Sequence, residues 1–202
     1  MDAVLYVHGK GGSAGESGHY KPLFPDCAVF GLDWRTFTPW ETGAEIRAAV
    51  LDLRQRYDGV ILVANSIGAF FSLYAELDGL ARAAYFISPV LEMERLITGM
   101  MAEAGVTEEE LAEKSVIPTA SGEELSWAYL TYVRSHPVRW TVPTRILYGS
   151  LDPLTSRNAV ERFARVHGAA LTVMEGGEHW FHTEEQMRFL DAWIRSNPAD
   201  QI

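Results

Sequence analysis

Ser66 stands in Ala64-Asn65-Ser66-Ile67-Gly68, with a small residue two places before it and another two places after. A β-branched apolar run precedes this segment and an apolar helical pattern follows. The arrangement matches the G-x-S-x-G elbow with Ala in the first position: serine is raised on a tight strand-to-helix turn where only small neighbours fit. A serine hydroxyl is a weak nucleophile at neutral pH, so it needs a base to take its proton and a third group to orient that base. Gly149-Ser150-Leu151-Asp152 places a carboxylate just past one apolar run, and Gly176-Gly177-Glu178-His179 places an imidazole just past the next. In chain order the three are Ser66, Asp152 and His179. His182, three residues further on, is the alternative base; the Gly176-Gly177 turn favours His179, and His182 adjoins Thr183, which opens a helix.

Acyl transfer also needs donors for the negative oxygen of a tetrahedral intermediate, each worth roughly 3–4 kcal/mol. Val7-His8-Gly9-Lys10-Gly11-Gly12-Ser13 follows the first strand-like run, and its glycines let backbone N–H groups approach a reacting carbonyl. The donors are assigned to the N–H of Lys10, with Gly11 as the alternative, and to the N–H of Ile67. Aromatic residues gather near these segments: Trp34, Phe37 and Trp40 after the second run, Trp180 and Phe181 after the base. With Trp127 and Met100 they suggest an apolar substrate pocket, taken as Trp34, Trp180, Trp127 and Met100. His8 braces the glycine loop, whereas His19, His136 and His167 read as structural or solvated, and Cys27 as a packing residue. Neither H-E-x-x-H nor H-x-x-E-H occurs, so no metal is expected. A competing motif overlaps the loop: Gly9-x-Gly11-x-x-Ala14 with Asp33 imitates a dinucleotide-binding fingerprint, though Gly15, Gly18, Pro22 and Pro25 make a poor phosphate-binding helix.

In an open parallel sheet reactive groups gather beyond the carboxyl ends of the strands, so groups this far apart in sequence can converge there. Six apolar runs supply the strands: Ala3–Val7, Cys27–Leu32, Val60–Ala64, Ala84–Ile87, Arg145–Tyr148 and Ala170–Met174. Helical patterns lie between them. Thr42-x-x-Glu45 reads as a capping box ahead of Ile46, Ala49, Val50 and Leu53, and Thr183-x-x-Gln186 as one ahead of Met187, Leu190, Trp193 and Ile194. Leu73, Tyr74 and Leu77 extend a helix begun at Ser66. The prediction is an α/β fold, a mostly parallel sheet of about six strands flanked by helices. Residues 89–143 break the alternation, with no convincing strand. One helical stripe there is Met93, Leu96, Ile97, Met100 and Met101; the other is Leu125, Ala128, Tyr129, Tyr132 and Val133 behind the box Ser121-x-x-Glu124. This segment is read as a helical insertion within a single domain spanning 1–202. Its nine acids against four bases supply about half of the net charge and read as a solvated face.

The 202 residues suit one domain, and 48% hydrophobic with 22% charged residues excludes disorder and collagen-like repeats. Seventeen basic residues against twenty-seven acidic ones give a net charge of −10, which repels phosphate backbones and anionic lipid. Nucleic acid and membranes are therefore not expected partners, and a strongly anionic substrate is disfavoured. One cysteine excludes an internal disulfide and thiolate metal clusters. Asp2 stands where a secretion signal needs basic residues, so the expected location is cytoplasmic.

Together, His8-Gly9, Ala64-x-Ser66-x-Gly68, Gly149-x-x-Asp152 and Gly177-x-His179 resemble the α/β-hydrolase superfamily over essentially the whole chain. The resemblance implies a serine nucleophile, a triad, an oxyanion hole and hydrolysis of an ester, thioester or amide without a cofactor. It also implies that 89–143 is a helical cap over the site. Two departures are visible: Ala64 replaces the first Gly, and the family's usual first two antiparallel strands are missing ahead of the His-Gly loop. The function expected is that of a small capped carboxylesterase, with a small-molecule apolar ester as substrate. The alternatives are a non-catalytic ligand receptor on the same fold and a dinucleotide-binding oxidoreductase.

Overall fold

The computed structural model describes residues 1–120 and 122–199. Its elements begin with β1 (Ala3–Val7), a 3-10 helix (Ala14–Leu23), β2 (Ala28–Leu32), α1 (Pro39–Arg54), β3 (Val60–Asn65), α2 (Ile67–Ser72) and β4 (Ala83–Ile87). There follow α3 (Met93–Ala104), α4 (Glu108–Lys114), β5 (Val116–Pro118), β6 (Glu124–Ser126) and α5 (Trp127–Ser135). The chain ends through β7 (Thr144–Gly149), α6 (Arg157–His167), β8 (Ala170–Met174) and α7 (Glu184–Arg195). It divides into two compact units, Met1–Leu91 with Arg139–Ile202, and Glu92–Val138.

The first unit holds a six-stranded sheet in the order β2-β1-β3-β4-β7-β8, parallel throughout. Every residue of β1 and β4 is buried, as a parallel sheet covered on both faces requires. Because side chains alternate along a strand, Val4, Tyr6, Ile61, Val63, Tyr85, Ile87 and Leu147 share one core. They pack there with Tyr20 and Leu23 of the 3-10 helix, Phe24 just after it, and Leu190, Trp193 and Ile194 of α7. α1 and α2 pack together, α1 against β1 and β3 through its buried stripe Ile46, Val50 and Leu53. The direction of winding reverses between β1 and β3, so the loops leaving these strands diverge there and open a crevice at the carboxyl edge of the sheet.

Several boundaries differ from the sequence reading, most by a single residue at a strand end. α1 starts at Pro39, with Thr38 as its cap: the Thr38 hydroxyl accepts from the Glu41 N–H and donates to the Glu41 carboxylate. The operative box is Thr38-Pro39-Trp40-Glu41, with proline at the first helical position, where its missing N–H costs nothing. Thr42 and Glu45 instead hold the preceding loop. Thr42 donates to the Thr36 carbonyl, and Glu45 accepts from the N–H groups of Arg35 and Thr36 and from the Thr36 hydroxyl. The helix after Ser66 ends at Ser72, before Leu73, Tyr74 and Leu77, and the chain then turns through Glu76 at φ 50°. β2 begins at Ala28; the N–H of Cys27 still closes a turn on the Phe24 carbonyl.

The second unit contains a strand pair that its sequence did not announce. β5 and β6 form a short antiparallel hairpin with Val116 opposite Ser126. Three-residue strands are too short to show a period, which is why this segment read as wholly helical. Ser126 caps α5 by accepting from the Tyr129 N–H, so Leu125 lies on β6 and Leu130 is the buried residue of the helix. Ser121, the cap expected from the sequence, lies outside the described residues. Arg134 on α5 bonds Glu94 of α3 and, through two nitrogens, Glu108 of α4. Among the described residues, no helix is long and apolar enough to cross a membrane.

Candidate active site

Ser66 sits between β3 and α2 at φ 54° and ψ −119°, a conformation that L-residues rarely adopt and that costs of order 1–3 kcal/mol. The backbone around it is fixed from two sides, its N–H donating to the Ile87 carbonyl and its own carbonyl accepting from the Val90 N–H. A side chain at Gly68 would bring a Cβ within 2.5 Å of the His8 carbonyl oxygen and 2.6 Å of that of Val7. Only glycine lets α2 start this close to the end of β1.

Ser66 Oγ lies 2.8 Å from His179 Nε2, and His179 Nδ1 lies 2.7 Å from Asp152 Oδ2. The Asp152 side chain is fully buried, yet its other oxygen is satisfied: Oδ1 accepts from the N–H groups of Leu154 and Thr155. A carboxylate held this way accepts the Nδ1 proton, which leaves the Nε2 lone pair pointing at the serine. Backbone bonds tie the two loops to each other. The Leu151 N–H donates to the Gly177 carbonyl, and the Gly176 N–H donates to the Ser150 hydroxyl. The chain thus brings Ser66, Asp152 and His179 together in one line. His182 is elsewhere, its ring stacked on Trp180 and its Nδ1 bonded to the Trp180 carbonyl oxygen.

The loop after β1 turns through Gly9-Lys10-Gly11-Gly12, closed by the Gly12 N–H on the Gly9 carbonyl, with Gly11 at φ 76°. A positive φ at the third position of such a turn is where glycine is required. His8 braces this loop from below: it is buried, its Nδ1 bonds the Gly9 carbonyl, and its ring stacks on Trp34. The Ile67 N–H is the first of α2 and has no intrahelical carbonyl to bond. Lys10 carries its ammonium 5.9 Å from the centre of the Phe37 ring. The Asp33 carboxylate accepts from the Ala14 N–H at the start of the 3-10 helix through Oδ1.

A cleft of about 460 Å³ opens beside these groups, lined by Gly9–Gly12, Glu16, Asn65, Ser66, Leu154, His179 and Trp180. Trp180 is 67% exposed. Trp34 is outside this lining and packs on Phe37 and Phe71. Met100 on α3 and Trp127 at the start of α5 belong to the second unit, and both are half-buried. The sequence reading missed Glu16, Asn65 and Leu154. Glu16 was visible only as the last member of Ser13-Ala14-Gly15-Glu16, which looks like a capping box, yet the Ser13 side chain makes no cap bond. Glu16 Oε2 instead accepts from the Tyr6 hydroxyl at 2.6 Å. Burial, the neighbouring Tyr20 and this bond together push the Tyr6 hydroxyl far above its ordinary range, so it stays a donor. Among the described residues no group of three or more His, Cys, Asp or Glu side chains is placed to hold a metal ion.

No family model matches this sequence, and no curated protein does. Solved structures do. Est1E from Butyrivibrio proteoclasticus, in a structure with ferulic acid bound, superimposes with a TM-score of 0.76 at 16% identity over 97% of this chain and 87% of that one. Alpha/beta hydrolase domain-containing protein 10 from mouse gives 0.71 at 18% identity, over 96% of this chain and 88% of that one. A monoacylglycerol lipase from Paleococcus ferrophilus gives 0.64 at 18%, over 96% of this chain and 93% of that one. With the parallel sheet and the elbow that ends β3, these likenesses establish that the chain has the α/β-hydrolase fold.

Proposed function

We propose that this chain is a serine hydrolase, specifically a carboxylesterase that cleaves a small to medium apolar ester through an acyl-enzyme. The observation that carries the reading is the unbroken line from Ser66 Oγ through His179 to Asp152, built on a strained elbow inside a cleft. Ser66 Oγ attacks the ester carbonyl carbon while His179 Nε2 takes its proton. Asp152, held by two backbone N–H groups, orients the imidazole and stabilises its charged form. The N–H groups of Lys10 and Ile67 hold the oxyanion. As the tetrahedral adduct collapses, the alcohol leaves with the proton from His179. Water, deprotonated by the same nitrogen, then releases the acid and restores the serine. No step needs a cofactor.

The esterase and lipase among the structural neighbours favour an ester over an amide, and the exposed Trp180 ring offers an apolar wall for an acyl or aryl group. Intact-mass labelling with a fluorophosphonate, on the wild type and on Ser66→Ala, tests the reading. A single adduct that disappears in the variant is expected. No adduct on the wild type would overturn it in favour of a ligand receptor on the same fold.

A further inference from the structure

The cleft beside Ser66 contains a carboxylate that the proposed reaction does not use. Glu16 lies on the 3-10 helix that follows the glycine loop, and its carboxylate packs directly on that loop: a Cβ at Gly12 would come 2.8 Å from Oε1 and 3.0 Å from Oε2. Oε2 is held by the buried Tyr6 hydroxyl, which anchors the group to β1 and fixes its direction. Oε1 has no hydrogen-bond partner among the described residues. Of the other ionisable side chains in the lining, His179 is engaged by Ser66 and Asp152, and Lys10 directs its ammonium over the Phe37 ring. Trp180 also lines the cleft. One face of its indole is covered by the stacked His182 ring, with centroids 4.2 Å apart, and the residue is still 67% exposed.

A fixed carboxylate with an open oxygen, in the same cleft as an exposed indole, is the pairing that recognises an organic cation. The carboxylate supplies charge, and the electron-rich ring face supplies attraction without a strong competing hydration shell. The net charge of −10 adds a field of the same sign.

We infer that Glu16 is a specificity-determining residue and that the cleft selects esters carrying a cationic group, such as a quaternary ammonium, a few bonds from the scissile carbonyl. This rests on the serine-hydrolase reading above and narrows its substrate class. It refines the apolar ester to one with an apolar body and a positively charged end, and it explains why a solvent-reachable acid is rigidly held beside the nucleophile.

The test compares kcat/KM for two para-nitrophenyl esters, one of γ-trimethylammoniobutyrate and one of its neutral carbon isostere, each divided by the ester's spontaneous hydrolysis rate. The two acyl groups differ in charge but hardly in shape. The wild type should prefer the cationic ester by about tenfold, as a cation–π contact combined with a carboxylate warrants. In Glu16→Gln the ratio should fall to within about twofold of one, whereas Glu16→Asp, which keeps the charge, should retain a preference for the cation. Because the readout is a ratio measured within each protein, a general loss of activity in a variant does not imitate the result. A ratio near one in a wild type that is labelled at Ser66 by fluorophosphonate would overturn this inference and leave the hydrolase reading standing. A preference that survives intact in Glu16→Gln would also overturn it. Failure of Ser66 to label would remove the hydrolase reading itself.

Discussion

The carbonyl oxygen of Gly177 lies 2.5 Å from where a Cβ on Gly149 would be, so the strand leading to Asp152 and the loop leading to His179 meet backbone to backbone. No side chain separates the Asp152 and His179 loops because the glycine at the end of β7 leaves no room for one. Gly149→Ala must push the two apart by several tenths of an ångström, and misplacement approaching 1 Å costs on the order of a hundredfold in rate. The expected outcome is a fall of that order in the rate of Ser66 phosphonylation, with destabilisation of about 1–3 kcal/mol in urea unfolding from overpacking. Labelling at the wild-type rate would show that the loops tolerate separation.

The two candidate bases are distinguished as clearly. His179 bonds both Ser66 and Asp152, whereas His182 is occupied with Trp180. His179→Ala should lower turnover by about a thousandfold or more, the usual consequence of removing a triad base. His182→Ala should stay within about threefold of the wild type, since it removes one surface stack and no reacting group. Steady-state hydrolysis of a neutral ester measures both, and the reverse pattern would reassign the base.

The candidate site is legible in the sequence where a motif requires residue types that physics leaves little choice about. Gly68 must be small because α2 abuts the end of β1, and the glycines before His179 fit a loop pressed on β7. Those constraints leave marks in the sequence. Packing decided by partners far along the chain leaves none. Glu16 has nothing in its local pattern to connect it with Tyr6 ten residues earlier, and its place in the cleft emerges only when the 3-10 helix folds back on β1. The start of α1 differs from the sequence reading because two consecutive boxes, Thr38-x-x-Glu41 and Thr42-x-x-Glu45, both fit the capping rule. Proline at position 39 was the signal that separates them. The β5–β6 hairpin left no trace because three-residue strands are shorter than the window in which a period can be recognised.

Stability should fall steeply at alkaline pH. Burial, assisted by the nearby Glu16, holds the Tyr20 hydroxyl well above its ordinary value of 10.0, and burial, Tyr20 and the Glu16 bond do the same at Tyr6. With the folded-state value raised, the unfolded chain releases these protons first. The contribution is therefore intact below about pH 10, the usual tyrosine value, and is lost as pH rises beyond it. Urea unfolding at pH 8, 9.5 and about 11 should show a flat region followed by a decline, and Tyr20→Phe should make the decline shallower. A wild-type profile flat to pH 11 would mean that these hydroxyls ionise as easily in the fold as outside it.

The serine elbow should be stable at the expense of the rest of the fold. Ser66 at φ 54° and ψ −119° is held by the Ile87 carbonyl and the Val90 N–H, which clamp its backbone whatever side chain it carries. Ser66→Ala removes the hydroxyl but keeps a Cβ in the same strained conformation. Ser66→Gly removes the Cβ as well, and with it a penalty of about 1 kcal/mol or more, offset in part by the greater freedom of glycine in the unfolded chain. Both variants should be inactive towards fluorophosphonate. In urea unfolding Ser66→Gly should be the more stable of the two, by roughly 0.5–1 kcal/mol, the reverse of the usual ranking of alanine over glycine. The inversion depends on the backbone and not on the hydroxyl, because neither variant has one. Finding the alanine variant more stable would show that the turn carries no strain at this position, and that it presents the serine through its hydrogen bonds alone.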